Sequence, residues 1–272
     1  RCGYARCAQC RANAKGASGM EIKDQTSRTA VVTGGGSGIG AAVCHHLAAA
    51  GHRVAVLDLD REAADACARA IRGAGRDAFA TAVDVASRES IDGALDEVRQ
   101  TLGPIGILVT SAAVSGFAPL EQIDAARWER TIAINLTGTF HSVQAAIGDM
   151  VDGGWGRIVT IASAAGQAGS ARQTDYAASK GGVIALTKTV ALEFASRGVT
   201  CNTLAPFAAD TPLLRAQQAA NLLPGDEIVH RMIPVGRMAT PDDLAATCAF
   251  LCTEEAAYLT GQVIAVNGGA LT

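Results

Sequence analysis

A chain of 272 residues that is 49% hydrophobic and carries a formal net charge of −3 has the length and apolar content for one large domain with a buried core. No run of Lys and Arg marks a nucleic-acid or membrane surface, and no apolar stretch approaches the roughly 18 residues that cross a bilayer. Aromatic residues make up only 4%, while abundant Ala and Gly suit helices packed tightly on a sheet.

Residues 1–28 stand apart. They are polar, basic at the start and without hydrophobic periodicity, as expected of a flexible N-terminal extension, a processed leader or a cloning remnant. Cys2, Cys7 and Cys10 fall here and would need a fourth ligand from elsewhere to hold zinc. The other five cysteines, Cys44, Cys67, Cys201, Cys248 and Cys252, lack partners at metal spacing and are expected to pack as small hydrophobes, so no metal site is predicted.

From Thr29 onward strands and helices alternate. Thr29–Thr33 reads as a buried strand, followed by a glycine-rich turn and a helix over about 39–50 that stops at Gly51. A second strand, 53–57, ends on Asp58; an Ala-rich helix follows over about 62–73; a third strand, 77–83, ends on Asp84. A helix over about 87–102 leads to a fourth strand at 105–109, and a helix from about Trp128 carries Asn135. The fifth strand runs from Arg157 to Ser163, the next helix carries Tyr176 and Lys180 past Leu192, and the sixth strand is 199–204. Thr240-Pro-Asp-Asp opens a late helix, with an N-cap hydroxyl, a first-turn proline and acids at the positive helix end. The seventh strand spans 262–266. Such alternation gives an α/β fold: one doubly wound domain over 29–272, with a parallel seven-stranded sheet covered by helices on both faces.

Thr33-Gly-Gly-Gly-Ser-Gly-Ile-Gly joins the first strand to a helix. Glycines there permit a tight turn and a close approach of backbone to a pyrophosphate, and the helix N-terminus offers free N–H groups. Gly34, Gly36, Ser37, Gly38 and Ile39 are therefore cofactor-binding candidates in a Rossmann-type domain. Asp58, with Leu59 beside it, ends the second strand, where a carboxylate accepts hydrogen bonds from both ribose hydroxyls and repels a 2′-phosphate. The expected cofactor is NAD rather than NADP, since no basic residue stands in the glycine loop and Arg53 begins the strand rather than ending it. Asp58 as a simple helix cap is the plainer alternative. Asp84 and Val85 would lie beside the adenine.

Tyr176 and Lys180 are four apart, so on a helix they share a face. An ammonium beside a phenol favours the phenolate, which makes Tyr176 a candidate proton donor and acceptor. Ser163, at a strand's C-terminal end, lies where open α/β sheets bind ligands.

These residues in this order resemble the short-chain dehydrogenase/reductase family from about Thr29 to the C-terminus. The C-terminal half is similar to its oxoacyl-carrier-protein reductases and its hydroxyacyl or cyclic-alcohol dehydrogenases. The resemblance implies a catalytic set of Asn135, Ser163, Tyr176 and Lys180. Tyr176 would act as the acid or base, Ser163 would bond the substrate oxygen, and Lys180 would hold the nicotinamide ribose and depress the tyrosine's pKa. Asn135 would fix a water in a proton relay. It further implies a cytoplasmic homotetramer acting on a small-molecule substrate, with no nucleic acid and no membrane partner. The reaction would interconvert a secondary alcohol and a ketone, on a 3-hydroxyacyl thioester, steroid or cyclic alcohol.

Two stretches depart from the family pattern. Thr110-Ser-Ala-Ala replaces the family's Asn-Asn-Ala-Gly; Ser111 is a candidate to replace a lost hydrogen bond, and Ala112 remains a cofactor contact. Pro206-Phe replaces Pro-Gly, while Thr211 keeps its place beside the carboxamide or pyrophosphate. Phe207 is open to three readings: stacking near the ring, walling the pocket or packing under the lid. A lid is expected over about 207–235, with Leu213, Leu214, Leu222 and Leu223 as apolar contacts. Gln173 either reaches substrate or is a surface or lid-packing residue. His45, His46 and His141 read as structural, and Asp242 with Asp243 as a helix start. The rival reading is a dinucleotide-sensing protein that has kept the fold and lost catalysis.

Overall fold

The computed structural model describes residues 27–272, and Cys2, Cys7 and Cys10 lie outside them. Seven parallel strands form one sheet in the order β3-β2-β1-β4-β5-β6-β7. They are β1 (Thr29–Thr33), β2 (Arg53–Asp58), β3 (Ala78–Ala82), β4 (Ile105–Thr110), β5 (Gly156–Ile161), β6 (Val199–Leu204) and β7 (Val263–Ile264). The α/β, doubly wound reading therefore holds.

Strand residues alternate between two apolar layers, as a sheet buried on both faces requires. Ala30, Val32, Val54, Val56, Ile107 and Val109 face one layer. It is closed by α1 (Gly38–Ala49), α2 (Arg61–Gly73) and α10 (Pro241–Leu251). Val31, Ala55, Leu57, Ile105 and Leu108 face the other. That layer is closed by α3 (Arg88–Leu102), α5 (Gly138–Asp152) and α7 (Thr174–Phe194). All five described cysteines are buried and unpaired, four of them in the first layer and Cys201 in the second.

The remaining helices are α4 (Ala125–Ile132), α6 (Ala164–Ala168), α8 (Pro212–Ala219) and α9 (Asp226–Arg231). The Asn135 helix starts earlier than the sequence suggested, because Asp124 accepts the Arg127 N–H at 2.8 Å and caps α4 ahead of Trp128. It then passes through a π-helical turn at Ala133–Thr137 before α5. The fifth strand ends two residues before Ser163, which instead caps α6. The Thr240 start holds as a reciprocal capping box with Asp243. Arg28, at the edge of the segment read as an extension, lies over the Trp155 ring at 4.4 Å and shares it with Arg157. His46 meets Asp242 at 3.0 Å on the surface.

Between β1 and β4 the order of winding reverses, and a cleft opens there beyond the strands' carboxyl ends. Ser111 bridges the divide with its main-chain N–H, which donates to the Thr33 carbonyl at 3.1 Å. The bracing bond is thus made by backbone, and among the described residues the Ser111 hydroxyl makes none. No described helix is long and apolar enough to cross a membrane, and no described His, Cys, Asp and Glu cluster has metal-holding geometry.

Candidate active site

The glycine turn is packed backbone against backbone. A Cβ on Gly40 would sit 2.0 Å from the Gly34 carbonyl oxygen, and one on Gly34, at φ +66°, would sit 2.6 Å from the Ala112 nitrogen. Only glycine lets α1 begin this close to the turn and to the segment after β4. Ser37 caps α1 with extended backbone and makes no side-chain capping bond, so the first-turn N–H groups remain available to an anion.

That helix end opens into a cleft of about 320 Å³ lined by Gly34, Ser37, Gly38, Ile39, Asp58, Leu59, Asp84, Val85, Ala112, Tyr176, Lys180 and Thr211. Of the residues expected to bind a cofactor, Gly36 alone is absent from the lining. Its N–H donates to Asp58 Oδ2 at 2.9 Å. The other Asp58 oxygen accepts the Asp60 N–H at 3.0 Å. Asp58 is therefore no helix cap; Asp60 caps α2, accepting from Glu62 and Ala63. A dinucleotide fits this donor set: an uncapped helix end for the pyrophosphate, a fixed carboxylate for a ribose, and Val85 and Ala112 as apolar walls. Ser111 and Ala113, from the stretch that departs from the family pattern, also line the cleft, as do Val114, Arg130 and Ile134, which had no signal of their own in the sequence.

A second cavity, of about 460 Å³, is lined by Ser163, Gln173 and Phe207 and by Leu213, Leu214 and Leu223 of the segment expected to form a lid. Leu222 does not line it. Phe207 forms part of its wall and is 37% exposed. The segment expected to form a lid contains α8 and α9, whose Leu214 and Val229 pack with Ile233 and Met238 in a small apolar cluster. Ile39, Tyr176, Pro206, Thr211 and Leu213 line both spaces. Thr211 also caps α8, accepting the Leu214 N–H at 3.3 Å.

Around Tyr176, Ser163, Lys180 and Asn135 each bond to backbone. Ser163 Oγ accepts the Ala165 N–H at 3.1 Å, which leaves its own proton free to donate. Lys180 Nζ donates to the Ile161 carbonyl at 2.6 Å, and the α6 backbone at Gly166 presses on that of Lys180 so closely that a Cβ would approach within 2.7 Å. Asn135, fully buried, clamps Val114 at two points: Oδ1 accepts its N–H at 2.8 Å and Nδ2 donates to its carbonyl at 2.9 Å. The second Nδ2 donor reaches Ser179 Oγ at 3.1 Å, and that hydroxyl donates to the Tyr176 carbonyl at 2.7 Å. Both side-chain donors of Asn135 are thus engaged in bracing α7 and the β4 segment.

The tyrosine's acidity differs from the expectation. Burial raises the Tyr176 phenol above the usual tyrosine value, and the neighbouring Ser163 hydroxyl only partly opposes this. The Lys180 ammonium lies 5.7 Å from the ring centroid and donates to the Ile161 carbonyl. Burial also lowers Lys180 itself to about 8.

An ion pair missed in the sequence anchors the tyrosine helix. Asp175 is 2% exposed and accepts from Arg127 Nε at 2.9 Å and Thr131 Oγ1 at 3.0 Å. Burial alone would raise its carboxyl, but these hydrogen bonds hold it below the usual range. Gln173 is engaged at both ends, receiving Ser170 Oγ at 2.7 Å and donating to Ser115 Oγ at 2.9 Å. His141 is not part of either space, and its Nδ1 is buried without a partner.

Comparison with known proteins gives three kinds of match. The family described as short chain dehydrogenase matches residues 28–222. D-threitol dehydrogenase of Mycolicibacterium smegmatis is 40% identical over 245 residues, covering 89% of this chain and 92% of that protein. Cis-4-hydroxycyclohexanecarboxylate dehydrogenase of Sinomonas cyclohexanicum is 38% identical, covering 89% and 96%. The crystal structure of gox2181 superposes with a TM-score of 0.86 at 33% identity, covering 90% of this chain and 95% of that one.

Proposed function

The chain belongs to the short-chain dehydrogenase family, an oxidoreductase family acting on alcohol and ketone groups, and from that premise we propose that it interconverts a secondary alcohol and a ketone, with NAD preferred to NADP and Tyr176 carrying the proton. The observation that supports this most is the position of Tyr176 in the wall shared by the dinucleotide-shaped cleft and the apolar cavity.

A bound nicotinamide dinucleotide supplies the hydride acceptor for oxidation and the hydride donor for reduction. The protein supplies alignment and proton transfer. In oxidation, the Tyr176 phenolate takes the hydroxyl proton of the substrate; in reduction, the phenol returns a proton to the carbonyl oxygen. Ser163, its acceptor side filled by the Ala165 N–H, donates to that same oxygen and stabilises its developing negative charge. Lys180 sits in the cleft with two further donors for a ribose. Asn135 acts as a positioning residue, through Val114 on one side and Ser179 on the other. The exposed Phe140 on α5 and Leu192 on α7 support self-association, in keeping with a homotetramer.

NAD-dependent oxidation across a panel of secondary alcohols, followed through the absorbance of the reduced cofactor, is the direct test. Turnover of at least one cyclic or acyclic member is expected. Tight NAD binding with no reduction by any member would favour the sensing protein instead.

Ser163→Ala is expected to lower kcat by about 10²- to 10³-fold, the range for loss of one donor to a developing oxyanion. It should also shift the pH profile. The Ser163 hydroxyl pulls the phenol's pKa down, so its removal lets the pKa rise and moves the alkaline-rising limb of oxidation to higher pH. An unshifted limb in the kcat/KM profile would remove Ser163 from contact with the phenol.

A further inference from the structure

The charged side chains around Tyr176 lie on one side of it. Asp58, Asp84, Arg130 and Lys180 line the cofactor cleft, whereas among the described residues no Lys, Arg, His, Asp or Glu lines the second cavity. A carboxylate or phosphate drawn into that space would lose its water and meet no counter-charge, which is costly. The wall also has few polar groups to spare for a heavily hydroxylated body. Gln173 is bonded to Ser170 on its oxygen and to Ser115 on its nitrogen, and the Gln217 amide nitrogen is buried. Ser163 and Tyr176 are committed to the oxygen that reacts.

What the cavity offers instead is apolar surface. Phe207, Leu213 and Met232 line it and remain exposed. Phe207 belongs to neither core layer nor to the small cluster around Leu214, and its ring pairs with no other aromatic ring among the described residues. Exposed apolar side chains in a concave wall are what a ligand's hydrocarbon covers. The main chain on either side of Phe207 is fixed: the Pro206 carbonyl accepts the Ala164 N–H at 2.9 Å, and the Ala208 carbonyl accepts the Ala239 N–H at 3.0 Å. Ala164 directly follows Ser163. The backbone carrying the phenyl is thus anchored beside the group that bonds the reacting oxygen.

We propose that this cavity selects an uncharged secondary alcohol or ketone with a hydrocarbon body, and that Phe207 determines specificity by lying against that body. This rests on the dehydrogenase reading above and goes further, to the class of substrate. Covering the exposed phenyl and the hydrocarbon together removes apolar area from water, and the gain grows with the size of the body.

The test uses three alcohols, each assayed with NAD and with NADP. Ethylcyclohexanol and hydroxycyclohexanecarboxylate match in size and differ in charge, and isopropanol has almost no body. The wild-type protein should prefer ethylcyclohexanol to the carboxylate by roughly a hundredfold or more in kcat/KM. It should prefer ethylcyclohexanol to isopropanol by roughly a hundredfold. In Phe207→Ala the preference over isopropanol should fall by roughly tenfold. Because each ratio is taken on one protein, loss of folded enzyme cancels. A carboxylate that equals or beats ethylcyclohexanol, a wild-type isopropanol ratio near one, or a ratio that Phe207→Ala leaves unchanged or raises would each overturn the proposal. If no alcohol reduces either cofactor, the dehydrogenase reading fails separately. Calorimetric binding of ethylcyclohexanone, oxocyclohexanecarboxylate and acetone to the NAD-mixed wild type and Phe207→Ala then decides on the cavity. The same two preferences, with the one over acetone weakened in the variant, sustain the proposal, and the lack of either preference or of that weakening overturns it.

Discussion

Tyr176→Phe is expected to lower kcat for alcohol oxidation by about 10²- to 10⁴-fold, the range attributed to a positioned general acid or base. The residue is half-buried and lies in the shared wall of the two cavities, so phenylalanine keeps its packing and removes only the hydroxyl. NAD affinity, measured by calorimetry, should therefore change by no more than roughly threefold. The remaining slow reaction should also lose the alkaline-rising limb of its pH profile, since no ionising phenol is left to produce it. That second readout separates a proton-transfer role from a distorted site, which would slow the reaction without flattening the profile. Near-normal turnover in this variant would sink the mechanism.

The direction of the tyrosine's pKa is where local reasoning and structure part. From spacing, Lys180 and Tyr176 share a helical face, which is correct, and the ammonium was expected to favour the phenolate. Burial decides otherwise. It penalises the charged form of both groups, raising the phenol and lowering the ammonium to about 8, while the ammonium turns to the Ile161 carbonyl. A four-residue interval states which groups are neighbours; it contains nothing about how much solvent each has lost.

The same contrast runs through the fold. Strand and helix order, the parallel sheet and the glycine turn were legible because each is written in a run of adjacent residues with a fixed period. Helix starts were less so: Asp124 caps α4, and Ser163 caps α6 instead of ending a strand. The Asp175–Arg127 pair was invisible, since its members lie 48 positions apart and nothing local distinguishes a buried ion pair from two surface charges. Asn135 was found as a residue but not in its bracing geometry, which depends on a π-helical turn and on the Val114 backbone.

Asp58 is expected to set the cofactor preference, with kcat/KM for NAD exceeding that for NADP by about 10²-fold or more. A like charge brought against it costs several kcal/mol, and each 1.4 kcal/mol is about tenfold. The carboxylate cannot swing away from a 2′-phosphate without losing bonds, because the Gly36 and Asp60 N–H groups hold its two oxygens at 2.9 and 3.0 Å. Arg53 offers no rescue: it lies at the start of β2, while Asp58 ends that strand, and it does not line the cleft. Asp58→Asn keeps the shape and removes the charge. Its preference for NAD should shrink by roughly 10- to 100-fold, mostly through a lower KM for NADP. Turning one amide donor toward a backbone N–H should cost about 1–3 kcal/mol of folding stability, read as a fall in Tm. The wild-type comparison is decisive by itself. Equal kcat/KM for the two cofactors would mean that a cation lining the same cleft, Arg130 or Lys180, offsets the repulsion, and would overturn the NAD assignment.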